Sequence, residues 1–393
     1  MRFGIVDLPA ETQAFWREVS DFLDRHLTAD VRAEMLASGS EFHEGFHRAL
    51  GACGWILPDW SLEDGGGGLD PLRLHILRTE FARRHVPSIT ADTTYIGATV
   101  VARWGEPELR AAVLPDIAAG SVRICLGYTE ADAGSDLAAV RTRAVRRDDR
   151  WVVNGSKMFT TGAESSQYCF LLARTNPEVS KHRGLTTFLV PLTHPGVEVR
   201  PVQTLGGERT NVVYYSDVDL GDEYRLGPVD GGWRVMSEPL DEEHGIGSAD
   251  VSGLGHINGQ GAWHLRTLRQ VYAEALDWAR RADGDSTPWD DMAVRHGLAE
   301  VALDLEVCVN TPEAMGRVIA ADALIRDTGL LLDLVGPAGV LSRGADGAVA
   351  SGTFEWGHRF AQASAIYGGT TDIHRNIIAE RDLGLPRRKP PTK

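Results

Sequence analysis

The fold is decided by a stretch that reads RICLGYTEADAGSD (123–136) and, after a short gap, RWVVNGSKMFTTG (150–162). Short runs of β-branched and aromatic residues, bounded by small and polar ones, predict strands. RDDR (147–150) and Asn154-Gly155 are typical of hairpin turns. Five more segments have the same texture, at residues 140–147, 167–175, 184–192, 196–202 and 211–220. The sequence therefore predicts a mostly antiparallel β domain over residues 121–232.

Helical periodicity flanks this domain on both sides. Within residues 9–27 the apolar side chains of Phe15, Val19, Phe22 and Leu23 recur at the spacing of one helix face. The pattern returns from residue 233 and predicts three long helices, at 256–281, 292–310 and 314–335. This order differs from the alternating βαβ order of a nucleotide-binding sheet. We predict an α+β chain with an N-terminal α-helical domain (1–120), the central β domain, a C-terminal helical bundle (233–386) and a polar tail (387–393).

Composition is typical of a soluble globular protein, with 43% hydrophobic and 24% charged residues in 393. The net charge of −15 argues against nucleic acid or an anionic membrane surface as a partner. An anionic ligand must therefore be held by local basic groups and backbone N–H donors. No run of 18 apolar residues occurs, and Asp7 interrupts the segment where a signal peptide is apolar. We expect a cytoplasmic enzyme.

Cysteine and histidine patterns give little support for a metal site. The four cysteines form no CxxC pair and are predicted to be buried small hydrophobic residues, Cys53, Cys125, Cys169 and Cys308. His43-Glu44-Gly45-Phe46-His47 spells the HExxH motif of zinc proteases on a predicted helix, but no metzincin-type third ligand follows. We interpret it as a solvent-facing helix surface and keep a zinc protease as a remote alternative.

The two quoted segments place hydroxyl groups and one aromatic ring on loops of the β domain, namely Thr129, Ser135, Thr160, Thr161 and Phe159. Hydroxyls and backbone donors suit the polar edge of a flavin, and an aromatic ring can cover its face. The chain has no GxGxxG fingerprint after a strand. A flavin would therefore be bound outside the dinucleotide-binding scheme of alternating strands and helices.

These segments resemble motifs of the acyl-CoA dehydrogenase family, which carries a T-E-x-x-A-G-S-D loop and a W-x-x-N-G-x-K hairpin. A third family motif, Y-[EG]-G-T-x-x-I-x-R-N-x-I-A-x-R, is similar to YGGTTDIHRNIIAER at 367–381. The resemblance covers essentially the whole chain. It implies a C-terminal four-helix bundle that mediates oligomerisation, non-covalently bound FAD and desaturation of an acyl-CoA between its α- and β-carbons. It also implies electron transfer to an electron-transfer flavoprotein or a similar acceptor.

The resemblance also implies roles for individual residues. It assigns flavin contacts to Leu126, Thr129, Phe159, Thr161, Thr370 and Asp372, with the Phe159 ring on the flavin face. Ser135 falls where the family contacts both the flavin phosphates and the CoA arm. Arg281 falls in the family's R-x-x-F-G segment, which reaches the FAD of a neighbouring subunit, although Gly284 stands where the aromatic residue is expected. The alternative for Arg281 is an ordinary solvated helix end.

The base that takes the α-proton is not at its most common family position. That position, directly before Gly-Thr, is Gly368 here, which has no carboxylate. Some members place the base in an L-x-x-E-R segment on the first helix of the C-terminal bundle, and LDEEH (240–244) puts Glu243 there. Glu242, an inert acidic helix N-terminus at 241–243, and no base at all stay open as alternatives. The Gly368 N–H can still donate to the thioester carbonyl, and the missing side chain favours branched, bulky or sterol-type acyl groups.

Two rival functions share this fold. One is a catalytically silent or FAD-holding subunit paired with a paralogue, and the other is a flavin monooxygenase or oxidase, which needs no carboxylate base. The acyl chain, the choice between CoA and carrier-protein thioesters, and a homomeric or heteromeric assembly of two or four chains stay open.

Overall fold

A computed structural model of the chain describes residues 9–40, 42–87, 89–243, 260–281, 286–311 and 313–386. The chain divides into two compact units. The first comprises Met1–Thr204 with Glu208–Pro239, and the second comprises Leu205–Gly207 with Leu240–Lys393. The division into three domains and a tail stays a prediction.

The first unit begins with six helices: α1 (Ala10–His26), α2 (Ala29–Ser38), α3 (Glu44–Ala52), α4 (Pro71–Arg83), α5 (Ile89–Trp104) and α6 (Pro107–Ala118). Side-chain caps fix three of the starts, since Thr28 accepts from the N–H of Val31, His43 from that of Phe46 and Asp70 from that of Arg73. The predicted apolar face of α1 is buried, and its Phe22 ring lies 4.8 Å from the ring of Trp55. The helical prediction for residues 9–27 is therefore confirmed.

The same unit contains one sheet of eight strands: β1 (Ile124–Gly127), β2 (Arg143–Arg147), β3 (Arg150–Lys157), β4 (Tyr168–Arg174), β5 (Leu185–Pro191), β6 (Val197–Gln203), β7 (Arg209–Gly221) and β8 (Arg225–Leu226). The order is β6-β7-β3-β2-β4-β5-β8, with β1 paired to β4. Most pairs are antiparallel, as predicted, but β1 and β2 each run parallel to β4. The sheet is therefore mixed. The β2–β3 hairpin lies between β1 and β4 in the sequence, and β4 then pairs with β1 in the parallel direction.

One of the two predicted hairpin turns is wrong. β2 and β3 are joined at residues 148–149, as predicted. Asn154 and Gly155, however, lie inside β3, where the pairing with β7 shifts register in a β-bulge. Gly155 has φ +146°, and a Cβ there would lie 2.6 Å from the Thr142 hydroxyl oxygen. The glycine is needed for a bulge and a close approach to β2, not for a turn.

The C-terminal part is helical: α7 (Gly232–Glu243), α8 (Gln260–Arg280), α9 (Met292–Val309), α10 (Glu313–Val335), α11 (Thr353–Ala361) and α12 (Thr371–Ile377). The long helix α10 packs against α8, α9, α11 and α12. Leu268, Val271, Leu298, Leu324 and Phe354 belong to the core between them. Within the described residues, no helix has the length and apolar character to cross a membrane.

The prediction for the cysteines is wrong at one position. Cys125, Cys169 and Cys308 are buried, whereas Cys53 at the end of α3 is exposed. Burial raises the pKa of the Cys308 thiol to about 11. These three buried thiols behave as small apolar core residues.

Candidate functional site

Two loops of the first unit carry four of the eight predicted flavin residues, and a hydrogen bond joins the loops. Residues 129–136 follow β1, and residues 158–162 follow β3; we call them together the β-domain loops. The Met158 N–H donates to the Thr129 carbonyl oxygen over 2.8 Å. Thr129, Phe159 and Thr161, predicted from separate motifs, are therefore brought together.

A buried ion pair lies at the base of the β-domain loops. The Lys157 Nζ lies 2.8 Å from a carboxylate oxygen of Glu130 and 3.0 Å from the Tyr128 carbonyl oxygen. The Glu130 carboxylate also accepts from the N–H groups of Arg141 (2.6 Å) and Thr142 (2.9 Å). One salt bridge therefore links the start of the first loop to the last residue of β3.

The electrostatics of this pair follow from its burial, because Lys157 is 0% exposed. Burial lowers the pKa of Lys157 to about 8, and the Glu130 carboxylate opposes this shift. Burial alone would raise the pKa of Glu130, but Lys157 and the N–H donors hold it below its ordinary value. Sequence reasoning missed this pair. No local signal singled it out, because residues 129–136 also contain Asp132 and Asp136.

Phe159 is presented to solvent by a strained backbone. Its side chain is 58% exposed, and its φ of +56° lies in the left-handed region that bulky residues rarely adopt. Asn211 forms hydrogen bonds with both main-chain groups of the next residue, Thr160. The Thr160 N–H donates to the Asn211 carbonyl oxygen (2.9 Å), and the Asn211 amide donates to the Thr160 carbonyl oxygen (3.0 Å). This conformation keeps an aromatic plane on the surface of the loop.

Two threonines, Thr160 and Thr161, follow Phe159 directly in the sequence. The Thr161 hydroxyl oxygen lies 3.1 Å from that of Thr210. The Thr160 hydroxyl oxygen is buried and has no hydrogen-bond partner among the described residues. A buried hydroxyl in this state costs free energy unless a ligand or water completes it. The donor set beside Phe159 therefore fits a polar, planar ligand such as a flavin.

The remaining predicted residues of the first unit lie on the same elements. Leu126 is half-buried in β1, opposite Phe170 of β4. Ser135 is exposed in the first of the β-domain loops. Its neighbour Asp136 accepts from the Lys181 Nζ over 2.5 Å. Ser135 is therefore accessible to a ligand that follows this loop.

In the second unit, the predicted residues form a tight turn before α12. Gly368 and Gly369 have φ of +61° and +80°, a left-handed pair that favours glycine. The Thr370 hydroxyl caps α12 by accepting from the Ile373 N–H over 3.2 Å. Asp372 is exposed and pairs with Arg375 at 3.3 Å. We call residues 364–370 the C-terminal turn.

The two remaining candidates lie at helix ends. Arg281 is exposed just after α8, and its N–H donates to the Trp278 carbonyl oxygen over 3.1 Å. Gly284 falls outside the described residues. Glu243 is the last described residue of α7, and its side chain is not among those described. The alternative of an acidic helix N-terminus is wrong, because residues 241–243 lie in the last described turn of α7 and not in its first.

The HExxH residues have other partners. His43 precedes α3 as its cap, with Nδ1 accepting from the Phe46 N–H (3.1 Å) and Nε2 lying 3.2 Å from Glu34. The Glu44 carboxylate lies 2.9 Å from the Arg123 guanidinium. His47 is 3% exposed, so the predicted solvent-facing surface is wrong at that residue; burial, aided by Arg123, lowers its pKa to about 3. No group of three or more metal-binding side chains occurs among the residues that the structure describes.

Three family models match the chain in the order of its parts. They are the acyl-CoA dehydrogenase N-terminal domain at 9–121, the middle domain at 125–218 and the C-terminal domain at 310–383. The chain belongs to the acyl-CoA dehydrogenase family. The resemblance seen in the sequence is therefore confirmed, together with the fold that it implied.

Named relatives and solved structures agree with this membership. The acyl-CoA dehydrogenase FadE26 of Mycobacterium tuberculosis is 31% identical over 403 residues, covering 94% of this chain and 96% of the relative. The ChsE4–ChsE5 complex of M. tuberculosis has a TM-score of 0.82 at 29% identity, covering 98% of this chain and all of the matched chain. The steroid acyl-CoA dehydrogenase (ACAD) Tcur3481–Tcur3483 has a TM-score of 0.82 at 28% identity, with the same coverage.

Membership in this family defines the class of chemistry. Acyl-CoA dehydrogenases are flavoproteins, and the relatives and domain matches identify the chain as an oxidoreductase acting on acyl-CoA.

Proposed function

We propose that this chain binds FAD and desaturates a bulky or branched acyl-CoA between its α- and β-carbons. The observation that carries this proposal is the hydrogen bond between Met158 and Thr129, which brings the two hydroxyl-bearing β-domain loops together beside the exposed ring of Phe159. The family membership of the chain supports the same reaction.

The residues proposed to hold FAD are Leu126, Thr129, Ser135, Phe159, Thr161, Arg281, Thr370 and Asp372. The buried Thr160 hydroxyl, which has no partner among the described residues, supports a ligand at the β-domain loops. FAD bound there supplies a two-electron acceptor for the hydride that leaves the β-carbon.

Two residues are proposed to act on the thioester. The Glu243 carboxylate removes the α-proton, a step that requires a base close to a weakly acidic carbon. The Gly368 N–H donates to the thioester carbonyl oxygen, where negative charge develops as the proton leaves. Gly368 itself cannot be the base, so acid–base work and carbonyl polarisation are separated between α7 and the C-terminal turn.

A bulky acyl group is supported by Gly368 and by one relative. A side chain at Gly368 would project beside the reacting carbons in the proposed geometry, and glycine leaves that volume open. The similar structure Tcur3481–Tcur3483 is that of a steroid ACAD. We therefore propose that this chain prefers polycyclic or branched acyl groups over straight ones.

A heteromeric assembly is the second candidate, and a specific observation favours it. Two of the similar structures, ChsE4–ChsE5 and Tcur3481–Tcur3483, are complexes of two differently named proteins. Arg281 lies exposed at a helix end, where the family reaches the FAD of a neighbouring subunit. In this assembly a paralogous chain would complete the FAD site, and an electron-transfer flavoprotein or similar carrier would accept the electrons.

The visible spectrum of the purified protein tests the proposal. We expect a yellow protein that releases FAD on denaturation and is bleached anaerobically by polycyclic acyl-CoA thioesters faster than by straight-chain ones. A colourless protein that cannot be reconstituted with FAD would overturn the proposal. Flavin binding that appears only on co-expression with a paralogue would establish the heteromeric form. A stable monomer with full FAD occupancy would exclude a role for Arg281 across a subunit boundary.

A further inference from the structure

A buried arginine on α10 forms hydrogen bonds with the C-terminal turn. Arg317 is 1% exposed, and one of its terminal nitrogens, Nη2, donates to three carbonyl oxygens of the turn. The acceptors and distances are Ser364 at 2.8 Å, Tyr367 at 2.7 Å and Gly369 at 3.3 Å. A guanidinium inside the protein forms strong, charge-assisted hydrogen bonds with such acceptors.

Two buried histidines complete the network, and their chemistry fixes their tautomers. Arg317 Nη1 lies 3.3 Å from His264 Nδ1, which must accept because a guanidinium only donates. His374 Nε2 lies 3.1 Å from the Gly368 carbonyl oxygen and must donate to it. Burial, aided by the Arg317 charge, holds the pKa of His264 well below its ordinary value, and burial also lowers that of His374. Both rings are therefore neutral donors or acceptors, and Arg317 carries the positive charge.

The shortest of the carbonyl contacts reaches the peptide unit that matters for the reaction. The Tyr367 carbonyl and the Gly368 N–H belong to one planar amide, so charge drawn toward the oxygen strengthens the N–H as a donor. The His374 contact acts instead on the next amide, which joins Gly368 to Gly369. The Arg317 contact with the Tyr367 carbonyl therefore polarises the Gly368 N–H, whereas the His374 contact with the Gly368 carbonyl supports the turn without polarising that N–H.

We infer that Arg317 is a positioning residue that polarises the Tyr367–Gly368 amide and aims its N–H at the thioester carbonyl oxygen. This inference rests on the proposed function, in which that N–H meets the charge that develops during α-proton removal. Because Gly368 has no carboxylate of its own, the turn contributes to catalysis through its backbone. The electrostatic strength of that backbone donor comes from Arg317.

The test measures the carbonyl stretch of a bound thioester by isotope-edited infrared spectroscopy. The probe is the ¹³C-carbonyl enoyl-CoA product of whichever acyl-CoA bleaches the wild-type flavin fastest, bound to the oxidised protein. We expect the wild-type protein to lower the carbonyl frequency relative to the free thioester. Failure of the wild-type flavin to bleach with any acyl-CoA overturns the proposed function and is seen before any variant is made.

Arg317→Lys and Arg317→Gln are the informative variants. Gln carries no positive charge and Lys lacks the planar fork, so the frequency should return toward that of the free thioester, and further for Gln than for Lys. The rate of flavin reduction should fall about tenfold, which is less than the ~10²–10³-fold loss when an oxyanion donor itself is removed. The Kd of the enoyl-CoA should change little, because the polarisation matters most when charge develops.

His374→Leu is the matched control. It removes the donor to the Gly368 carbonyl, lowers the Tm, and should leave the thioester frequency at its wild-type value. The inference is overturned if Arg317→Gln keeps both the frequency and the rate, or if His374→Leu moves the frequency as far as Arg317→Gln does. If the Arg317 variants do not fold, the test uses wild-type protein labelled with 1-¹³C-tyrosine. A tyrosine amide band must then shift when the enoyl-CoA binds. If no tyrosine amide band shifts, the inference is overturned.

Discussion

The β-domain loops and the C-terminal turn each contain a buried cation, and the described hydrogen-bond partners of the two cations differ. Lys157 lies against a carboxylate, that of Glu130, and against the Tyr128 carbonyl. Arg317 directs its described hydrogen bonds to three main-chain carbonyls and a neutral histidine ring. In an ion pair the two opposite charges largely cancel. A guanidinium that donates to carbonyl oxygens instead polarises the amides to which those carbonyls belong.

This difference assigns different tasks to the two regions. In the β-domain loops the charges serve the local structure, and side chains such as Phe159 and Thr161 are left to meet a ligand. In the C-terminal turn the backbone itself is proposed to meet the substrate, so its electrostatics matter directly. Substitutions in the first region should therefore change stability and flavin content, and those in the second should change the rate.

The largest effect on the rate is expected for Glu243→Gln on α7, which removes the proposed base itself. The carboxamide conserves shape but cannot accept a proton, so flavin reduction should fall by ~10²–10⁴-fold while FAD and acyl-CoA still bind. Stopped-flow reduction under anaerobic conditions measures it. Glu242→Gln is the control and should cost far less, because successive helix residues point about 100° apart. Flavin reduction at the wild-type rate in Glu243→Gln would show that the base lies elsewhere.

Lys157→Met should give the largest loss of stability. It leaves the half-buried Glu130 carboxylate without its ammonium partner, and breaking a buried pair costs about 3–5 kcal/mol. The N–H groups of Arg141 and Thr142 still donate to the carboxylate, so the loss should lie at the lower end of that range. Urea unfolding with fluorescence detection and the FAD content after purification measure the two consequences. Lys181→Met breaks the half-exposed pair with Asp136 and should cost only ~0–1 kcal/mol. Equal losses in the two variants would show that the buried pair has no special role in the β-domain loops.

Gly368→Ala tests whether the turn acts through its backbone. A Cβ at φ +61° costs roughly 1–2 kcal/mol and displaces the N–H, so both the stability and the rate of flavin reduction should fall. Gly336→Ala is the matched control, because Gly336 has φ +75° in the second unit and open space where its Cβ would lie. It should lose similar stability and keep the wild-type rate. A rate unchanged in both variants would contradict the proposed role of Gly368.

The smallest effect concerns a second buried charge on α10. Burial raises the pKa of Asp327 to about 6, against the opposing effect of Arg326, and one of its carboxylate oxygens is buried without a hydrogen-bond partner among the described residues. The folded protein therefore holds this proton to a higher pH than the unfolded chain, and the free energy of unfolding should decrease as pH rises from about 4 to about 6. Above pH 6 this contribution is constant. Asp327→Asn should remove that decrease, and parallel curves for the two proteins would refute the assignment.

The sequence predicted the architecture well because the signals of its parts are local. The apolar spacing in α1 and the short β-branched runs of the sheet depend on neighbours along the chain. Asn154-Gly155 was misassigned for the opposite reason. The same dipeptide serves a turn or a bulge, and the pairing of β3 with the distant β7 decides between them.

The candidate site was predictable only in part. Motif letters indicated Thr129, Phe159 and Thr161, but not the buried partners that position them. Lys157 and Glu130 are far apart in the sequence, and Arg317 lies in an otherwise ordinary helix about fifty residues before the turn that it holds. Burial and direction of a charged side chain are set by tertiary packing, which leaves no local signature in the sequence.

The bulge in β3 has a consequence for the chemical stability of the protein on storage. Glycine after asparagine leaves the backbone nitrogen unshielded, so it can attack the preceding carboxamide and deamidate the residue. In the folded chain the Asn154 carboxamide is bonded at both ends to β7, donating to the Asp217 carboxylate over 3.0 Å and accepting from the Asp217 N–H over 2.9 Å. These bonds fix the orientation of the carboxamide and oppose the rotation that attack by the Gly155 nitrogen would require. Deamidation of Asn154 in stored protein should therefore record how often β3 separates from β7.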